Sequence, residues 1–416
     1  MTPVRLSGGL ARDDEGDAAA VRRHAAAPRP VTRAPQQTKT VTFILTEECN
    51  FRCSYCYLVD KKAHRRMPFE TARDVIDYLL THRELFPEPR INWDFIGGEP
   101  LLEIDTIERI IDYAQLRAYE LDHPWFGRAI YSLTTNGTLY GTPRVQRLIE
   151  RYRDMLSITI SIDGPEHVHD IARVDREGRG TYQQVVRNIP LWLEQWPDAS
   201  TKVTIAHENL RYLSESILHL MDLGIREVNA NVVFEDVWHD GDDLLLEAQL
   251  DELGREMIAR GLWRNHSCSF FNRGIGRALD TCDTCNWCGT GKMLAVDVEG
   301  NFYPCNRFVP FSLVRRDPRT IGNVRDGLDL NRLRPFLALT RQAQSTRECL
   351  TCEVARGCAW CQGLNYDDAD SPTIYQRATH LCLMHKARVR ANERFWQMVE
   401  QARAQDAQAP ASEAQP

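Results

Sequence analysis

Cys49-Asn50-Phe51-Arg52-Cys53-Ser54-Tyr55-Cys56 stands directly after a β-branched and apolar run at residues 40–45. Its three cysteines are spaced Cx3CxxC. Thiolates are soft ligands that select iron–sulfur clusters or zinc. A tetrahedral zinc site or an ordinary four-iron cluster takes a fourth cysteine or histidine, and none follows before His64. Three thiolates on a four-iron cluster leave one iron open to bind and activate something. The spacing therefore reads as a reactive centre, the competing reading being a structural zinc knuckle that borrows a distant ligand.

Around this segment the chain of 416 residues is long enough for two domains or one large barrel with additions. Apolar residues make up 43% and charged residues 26%, ordinary values for a globular protein. The formal net charge of −7 gives no sign of a nucleic-acid binder. No apolar stretch approaches the roughly 20 residues of a membrane helix, and residues 1–14 lack the apolar core of a signal peptide. Thirteen cysteines without an export signal point to metal or redox chemistry in a reducing cytoplasm rather than to disulfides. The basic run Lys61-Lys62-Ala63-His64-Arg65-Arg66 reads as a solvated loop, with contact to an acidic peptide as the alternative.

Residues 1–38, rich in Ala, Arg and Pro without a period, read as a disordered tail with no room for a folded peptide-recognition module. From 39 to 242 strand and helix patterns alternate. Strands are expected at 40–45, 91–96, 130–135, 157–162, 202–206 and 228–234, with amphipathic helices such as 69–80 and 101–119 between them. In the second helix Ile104, Ile107, Ile110, Ile111 and Ala114 recur at helical spacing. Such alternation means parallel strands joined by crossover helices. Buried parallel strands are expected to read as apolar runs. A linker helix at about 243–262 opens a further unit reaching residue 400, and residues 401–416 read as a second disordered tail.

That further unit holds a second field of cysteines. Cys282, Cys285 and Cys288 form Cx2Cx2C, Cys305 closes Gly300-Asn-Phe-Tyr-Pro-Cys305, Cys349, Cys352, Cys358 and Cys361 form Cx2Cx5Cx2C, and Cys382 stands alone. Short Cx2C pairs are what one metal takes from one turn of chain. Eight or nine thiols thus imply two sites, with zinc ribbons and iron–sulfur clusters both open on spacing. Cys268 stands apart and reads as an ordinary small residue.

The Cx3CxxC motif with Tyr55 before its last cysteine resembles the radical S-adenosylmethionine (SAM) superfamily. Further matches follow in order: Gly97-Gly98-Glu99-Pro100 after the second strand, Asn136-Gly137 after the third, and Ser161 with Asp163-Gly164 at the end of the fourth. The resemblance implies a partial, TIM-like (β/α)6 barrel with the ligand at the strands' C-terminal ends. It implies a [4Fe-4S] cluster on Cys49, Cys53 and Cys56 and SAM bound at its open iron. Glu99 and the backbone of Gly97, Gly98 and Pro100 would hold the amino group, Tyr55 the adenine and Ser161 the ribose. Asn136 and Asp163 would complete the cofactor site, and Arg173 would meet the carboxylate as a bidentate partner. One-electron cleavage would yield methionine and a 5′-deoxyadenosyl radical able to abstract hydrogen.

The C-terminal cysteines resemble the SPASM pattern, which implies two auxiliary four-iron clusters and hence three in all. Cys282 or Cys285 with Cys288, Cys305 and Cys361 would hold the first, and Cys349, Cys352, Cys358 and Cys382 the second. Cys358 and Cys361 lie one residue closer than in that pattern. Sulfatase-maturating enzymes of this architecture place a base aspartate after the Gly-x4-Cys cysteine, where this chain has Asn306. An amide does not serve as that base. The segment from Trp93 through Gly97-Gly98-Glu99-Pro100 to Glu103, with Cys358-Ala359-Trp360-Cys361-Gln362-Gly363, resembles maturases of ribosomally made peptides, which implies crosslinking of a precursor peptide, a thioether being favoured. Carbon–carbon or carbon–oxygen crosslinking and sulfatase-type oxidation are the alternatives. The expected partners are the precursor peptide, a separate peptide-recognition protein and a flavodoxin- or ferredoxin-type electron donor.

Overall fold

Thr38–Ile44 (β1) lies beside Arg90–Ile96 (β2) in parallel register, Thr42 opposite Asp94. The order continues in parallel through Ala129–Thr135 (β3) and Leu156–Ile160 (β4). Ser200–Ile205 (β5) and Glu227–Val232 (β6) form a second parallel pair. An isolated parallel bridge from Ser161 to Lys202, with Ile162 N donating to Lys202 O at 3.2 Å, joins the two sheets in chain order. The six expected strands are all present, displaced by at most two residues at either end. The chain is described from a computed structural model over residues 38–58, 64–280, 288–368, 374 and 376–408. Cys282, Cys285 and nearly all of the N-terminal tail lie outside the described residues.

The strands alternate instead of running apolar on both faces. In β2, Ile91, Trp93 and Phe95 are buried, whereas Asn92, Asp94 and Ile96 are only partly so. Phe43 stacks on both Trp93 and Phe95, and Phe95 on Tyr131. Period-two alternation in a parallel sheet means that only one face is fully packed. The other face, carrying Asp94, Thr134, Ser161, Lys202, Thr204 and Asn231, lines a cavity.

The C-terminal residues extend both edges of this sheet system. Ser267–Cys268 (β7) pairs in parallel with β6. Leu294–Val296 (β8) pairs in parallel with β1 and turns through Asp297 into the antiparallel Asn301–Tyr303 (β9). Two short strands, Gly322–Asn323 (β10) and Gly327–Leu328 (β11), complete the edge. The expected linker helix is Asp242–Ala259, and it packs along the long helix Cys382–Gln408. That helix continues through residues 401–408, which the sequence assigned to a disordered tail. Its side chains from Arg390 to Phe395 anchor it on the linker helix and on Phe271, and helical propagation adds one hydrogen bond per residue from there.

Candidate active site

The Cx3CxxC loop is held from two sides. Arg52 N donates to Val174 O at 2.8 Å and Ser54 N to Ala172 O at 3.0 Å. On the other side Gly98 N donates to Thr46 O (2.8 Å) and Glu99 N to Glu48 O (2.9 Å). A Cβ at Gly98 would lie 2.1 Å from Glu48 O, and one at Gly97 2.4 Å from Thr46 O. The two glycines are therefore demanded by backbone packing against the cysteine loop, whatever ligand also lies there.

Glu99 is 1% exposed and accepts three hydrogen bonds, from Leu101 N (3.0 Å), Thr135 Oγ1 (2.6 Å) and Asn136 N (2.8 Å). Burial still raises its pKa above the ordinary value. It thus ties the Gly-Gly-Glu-Pro segment to the end of β3. Asn136 Nδ2 donates to Asn50 Oδ1 (2.7 Å), Asn50 Nδ2 to Thr138 Oγ1 (2.9 Å) and Thr138 Oγ1 to Asn136 Oδ1 (2.8 Å). This closed ring locks the cysteine loop to the β3 turn. Asn50 and Thr138 escaped the sequence reading because a lone amide and hydroxyl carry no pattern.

Asp163, fully buried, takes Arg173 Nε at 2.8 Å and Arg173 Nη2 at 3.3 Å, and Thr204 N at 3.0 Å. Tyr55 Oη also donates to it, and the Arg173 guanidinium lies 5.5 Å from the Tyr55 ring centroid. In this arrangement Asp163 serves Tyr55 and Arg173, and Arg173 spends its fork on Asp163. His169 supports the same corner. Thr181 Oγ1 donates to Arg173 O (2.7 Å), so it accepts from His169 Nε2, 3.2 Å away, while His169 Nδ1 accepts Asp163 N–H (3.3 Å).

One cavity of about 610 Å³ gathers these groups. Cys49, Cys53 and Cys56 line it together with Tyr55, Gly97, Gly98, Glu99, Asn136, Ser161 and Arg173. Pro100, buried at the start of the turn after Glu99, supports the wall without lining it. Among the described residues no three ligating side chains converge on a position for a single metal ion. Three thiols on the wall of one cavity are a donor set that fits an iron–sulfur cluster with a cofactor beside it.

The C-terminal residues reach the same cavity: Asn306, Arg307 and Cys361 line it. Asn306 Nδ2 donates to Tyr57 Oη at 3.1 Å, and Arg307 pairs with Glu235 and lies 5.1 Å from the Tyr57 ring centroid. Burial pushes the Tyr57 hydroxyl up to about 12.

Apart from Cys268, the remaining described cysteines fall into two groups. Cys305 feels the charges of Cys361 and Cys288, and burial pushes its thiol up to about 12. Thr290 Oγ1 lies 3.0 Å from Cys288 Sγ and donates toward Cys305 Sγ at 3.8 Å. Cys349, Cys352 and Cys358 surround Cys382, and these four line a second cavity of about 520 Å³. Cys268 is buried away from both groups, hydrogen-bonded to the Phe270 backbone.

Parallel strands in barrel-like order thus carry a thiol trio after β1, turns that line the cavity after β2–β4 and further thiols beyond β6. Residues 43–219 match the family model described as the Radical SAM superfamily. The chain is 21% identical over 347 residues to the radical SAM cyclopropyl synthase TigE of Paramaledivibacter caminithermalis, covering 78% of this chain and 67% of TigE. It is 26% identical over 330 residues to the serine-type anaerobic sulfatase-maturating enzyme of Klebsiella pneumoniae, covering 74% and 78% of the two chains. Across the first curated relatives the chain spans 60 to 78% of their length. The fold is shared with native anSMEcpe with bound AdoMet (TM-score 0.67, 18% identity, 88% and 99% of the two chains). It is shared also with Streptococcus suis SuiB bound to precursor peptide SuiA (TM-score 0.54, 14% identity, 83% and 76%).

Proposed function

We propose that this enzyme binds SAM at Cys49, Cys53 and Cys56 and uses it to oxidise a ribosomally made precursor peptide, closing an intramolecular crosslink with a thioether favoured. The observation that carries the reading is the single cavity in which the thiol trio, the Glu99 segment, Ser161 and Arg173 meet Asn306, Arg307 and Cys361 from the C-terminal part. A site open to both parts of the chain has room for cofactor and substrate side by side. When bound, the cluster and SAM supply a radical strong enough to take hydrogen from an unactivated carbon.

The chain's own residues bind, orient and exclude water. Glu99 and the Gly97–Gly98 backbone form the wall for the amino group of SAM. Ser161 stands at the ribose position and Asp163 fixes Tyr55 at the adenine end, whereas Arg173, expected as the bidentate partner of the carboxylate, has Nε and Nη2 committed to Asp163 instead. The group of Cys288, Cys305 and Cys361 and the group of Cys349, Cys352, Cys358 and Cys382 would each hold an auxiliary cluster, giving three clusters in all. Soft iron favours thiolate, which suits a cysteine-bearing peptide.

Peptide complexes of the two structural neighbours, with Cp18Cys and with SuiA, support a peptide substrate. A recognition protein and a flavodoxin- or ferredoxin-type donor belong to the same proposal. Similarity to sulfatase-maturating enzymes keeps a second reading, which Asn306 opposes. The test is co-expression with short precursor-like peptides encoded beside this protein, followed by mass spectrometry with thiol alkylation before and after reduction. A loss of two hydrogens per event with thiols that stay blocked establishes the thioether. The same loss with all thiols alkylatable moves the bond to carbon or oxygen. Peptides left unmodified by enzyme with full clusters and active SAM cleavage overturn the reading.

A further inference from the structure

Among the described residues three carboxylates line the active-site cavity, and two of them are committed. Glu99 accepts three protein hydrogen bonds, and Glu235 pairs with Arg307. The third, Asp94, projects from the partly buried face of β2. Its Oδ1 accepts Ser132 Oγ at 2.7 Å and its Oδ2 accepts Thr42 Oγ1 at 3.1 Å. Thr42, Asp94 and Ser132 are register partners on three adjacent strands, so the carboxylate is fixed by the sheet itself. A carboxylate oxygen has two lone-pair sites, so one hydroxyl on each leaves one acceptor site per oxygen.

Lys202 on β5 lines the same cavity and feels the charge of Asp94, yet the two side chains are not within ion-pair distance among the described contacts. Lys202 is exposed and lines the cavity. Protein surrounds it, and burial lowers its pKa. A fixed acceptor and a cation thus share one cavity with the thiol trio. Between them fits a substrate group that donates to Asp94 and accepts from Lys202, such as a thiol, hydroxyl or amide.

We propose that Asp94 is the proton acceptor of the substrate-oxidation step, with Lys202 positioning the same X–H group. This rests on the peptide-maturase reading and supplies the base that Asn306 cannot. One hydrogen atom leaves a substrate carbon for the SAM-derived radical. The X–H proton goes to Asp94, the carbon–X bond forms, and one electron passes to an iron–sulfur acceptor. Two hydrogens are lost in all. Burial raises the Asp94 pKa, in the direction a base working near neutrality needs.

The test uses cluster-loaded enzyme and a peptide that the wild type modifies, with that peptide deuterated at the attacked carbon. Asp94→Asn should lower the ratio of crosslinked peptide to 5′-deoxyadenosine at least tenfold, while deuterium still appears in the 5′-deoxyadenosine. Adding Asn306→Asp to that variant should restore at least part of the ratio, which a merely structural role for Asp94 would not allow. Lys202→Met should raise the peptide KM more than it lowers kcat. An unchanged product ratio in Asp94→Asn, with full iron content, overturns the assignment and leaves the maturase reading standing. Loss of deuterium transfer along with product also overturns it, because Asp94 would then serve an earlier step. A wild type that modifies no peptide overturns both.

Discussion

At the scale of single residues, Gly98 and His169 show how the site is held by packing and proton position. Because a Cβ at Gly98 meets a backbone oxygen, Gly98→Ala must push two loops apart. Overpacking of this kind costs about 1–3 kcal/mol, and denaturant titration should show it as a lowered midpoint with loss of iron from the barrel. An unchanged midpoint would remove the packing argument. His169 is neutral by necessity, since its Nδ1 accepts a backbone N–H. Burial first, then the Arg173 charge, depress its pKa to about 3. The unfolded chain therefore binds the extra proton below about pH 6.5, and stability rises with pH. The contribution is complete above that value and is lost as pH falls toward 3. Between pH 7 and 5 the loss should be about 2 kcal/mol, and His169→Gln should flatten this part of the pH–stability curve. An equal slope in both proteins would refute the assignment.

At the scale of elements, the helix Cys382–Gln408 clamps the C-terminal part onto the helix Asp242–Ala259. Two kinds of contact do this, and their sizes differ. Arg394 reaches Glu247 at 2.6 Å and Asp251 at 2.9 Å but is 41% exposed. Phe395 is 4% exposed and stacks on Phe271 at 3.9 Å between centroids. Solvent screens the first to at most about 1 kcal/mol, whereas Phe395→Ala should cost about 3–5 kcal/mol through transfer and cavity terms. Urea titration of the two variants should separate them clearly, and equal losses would mean that the ion pairs matter more than screening allows. The strand β8 makes a comparable link at the other edge, pairing with the strand that feeds Cys49.

At the scale of the whole molecule, the two thiol groups beyond the barrel should be separable from the trio. Cys53→Ala should abolish SAM cleavage while iron remains in the C-terminal part. Cys352→Ala should lower iron content and crosslinking. SAM cleavage by Cys53→Ala protein, or unchanged iron in Cys352→Ala protein, would refute the corresponding assignment. No helix among the described residues is long and apolar enough to cross a membrane.

The sequence by itself determined the strand–helix alternation, the strands to within two residues and the positions of the turns that end β2, β3 and β4. These depend on local periodicity and on short contiguous strings, where neighbours in sequence act together. Only the tertiary structure decided that one strand face is polar, that Gly97 and Gly98 answer to the cysteine loop, and that Asn50 joins Asn136 and Thr138 in a ring. It alone placed Asp94 and Lys202 on one cavity with Asn306 and Cys361. Those relations join residues tens to hundreds of positions apart, and a lone Asp or Lys in a strand carries no local signal of what it will face. Register across parallel strands, set by the packing of the apolar face, is what turned them toward a shared space.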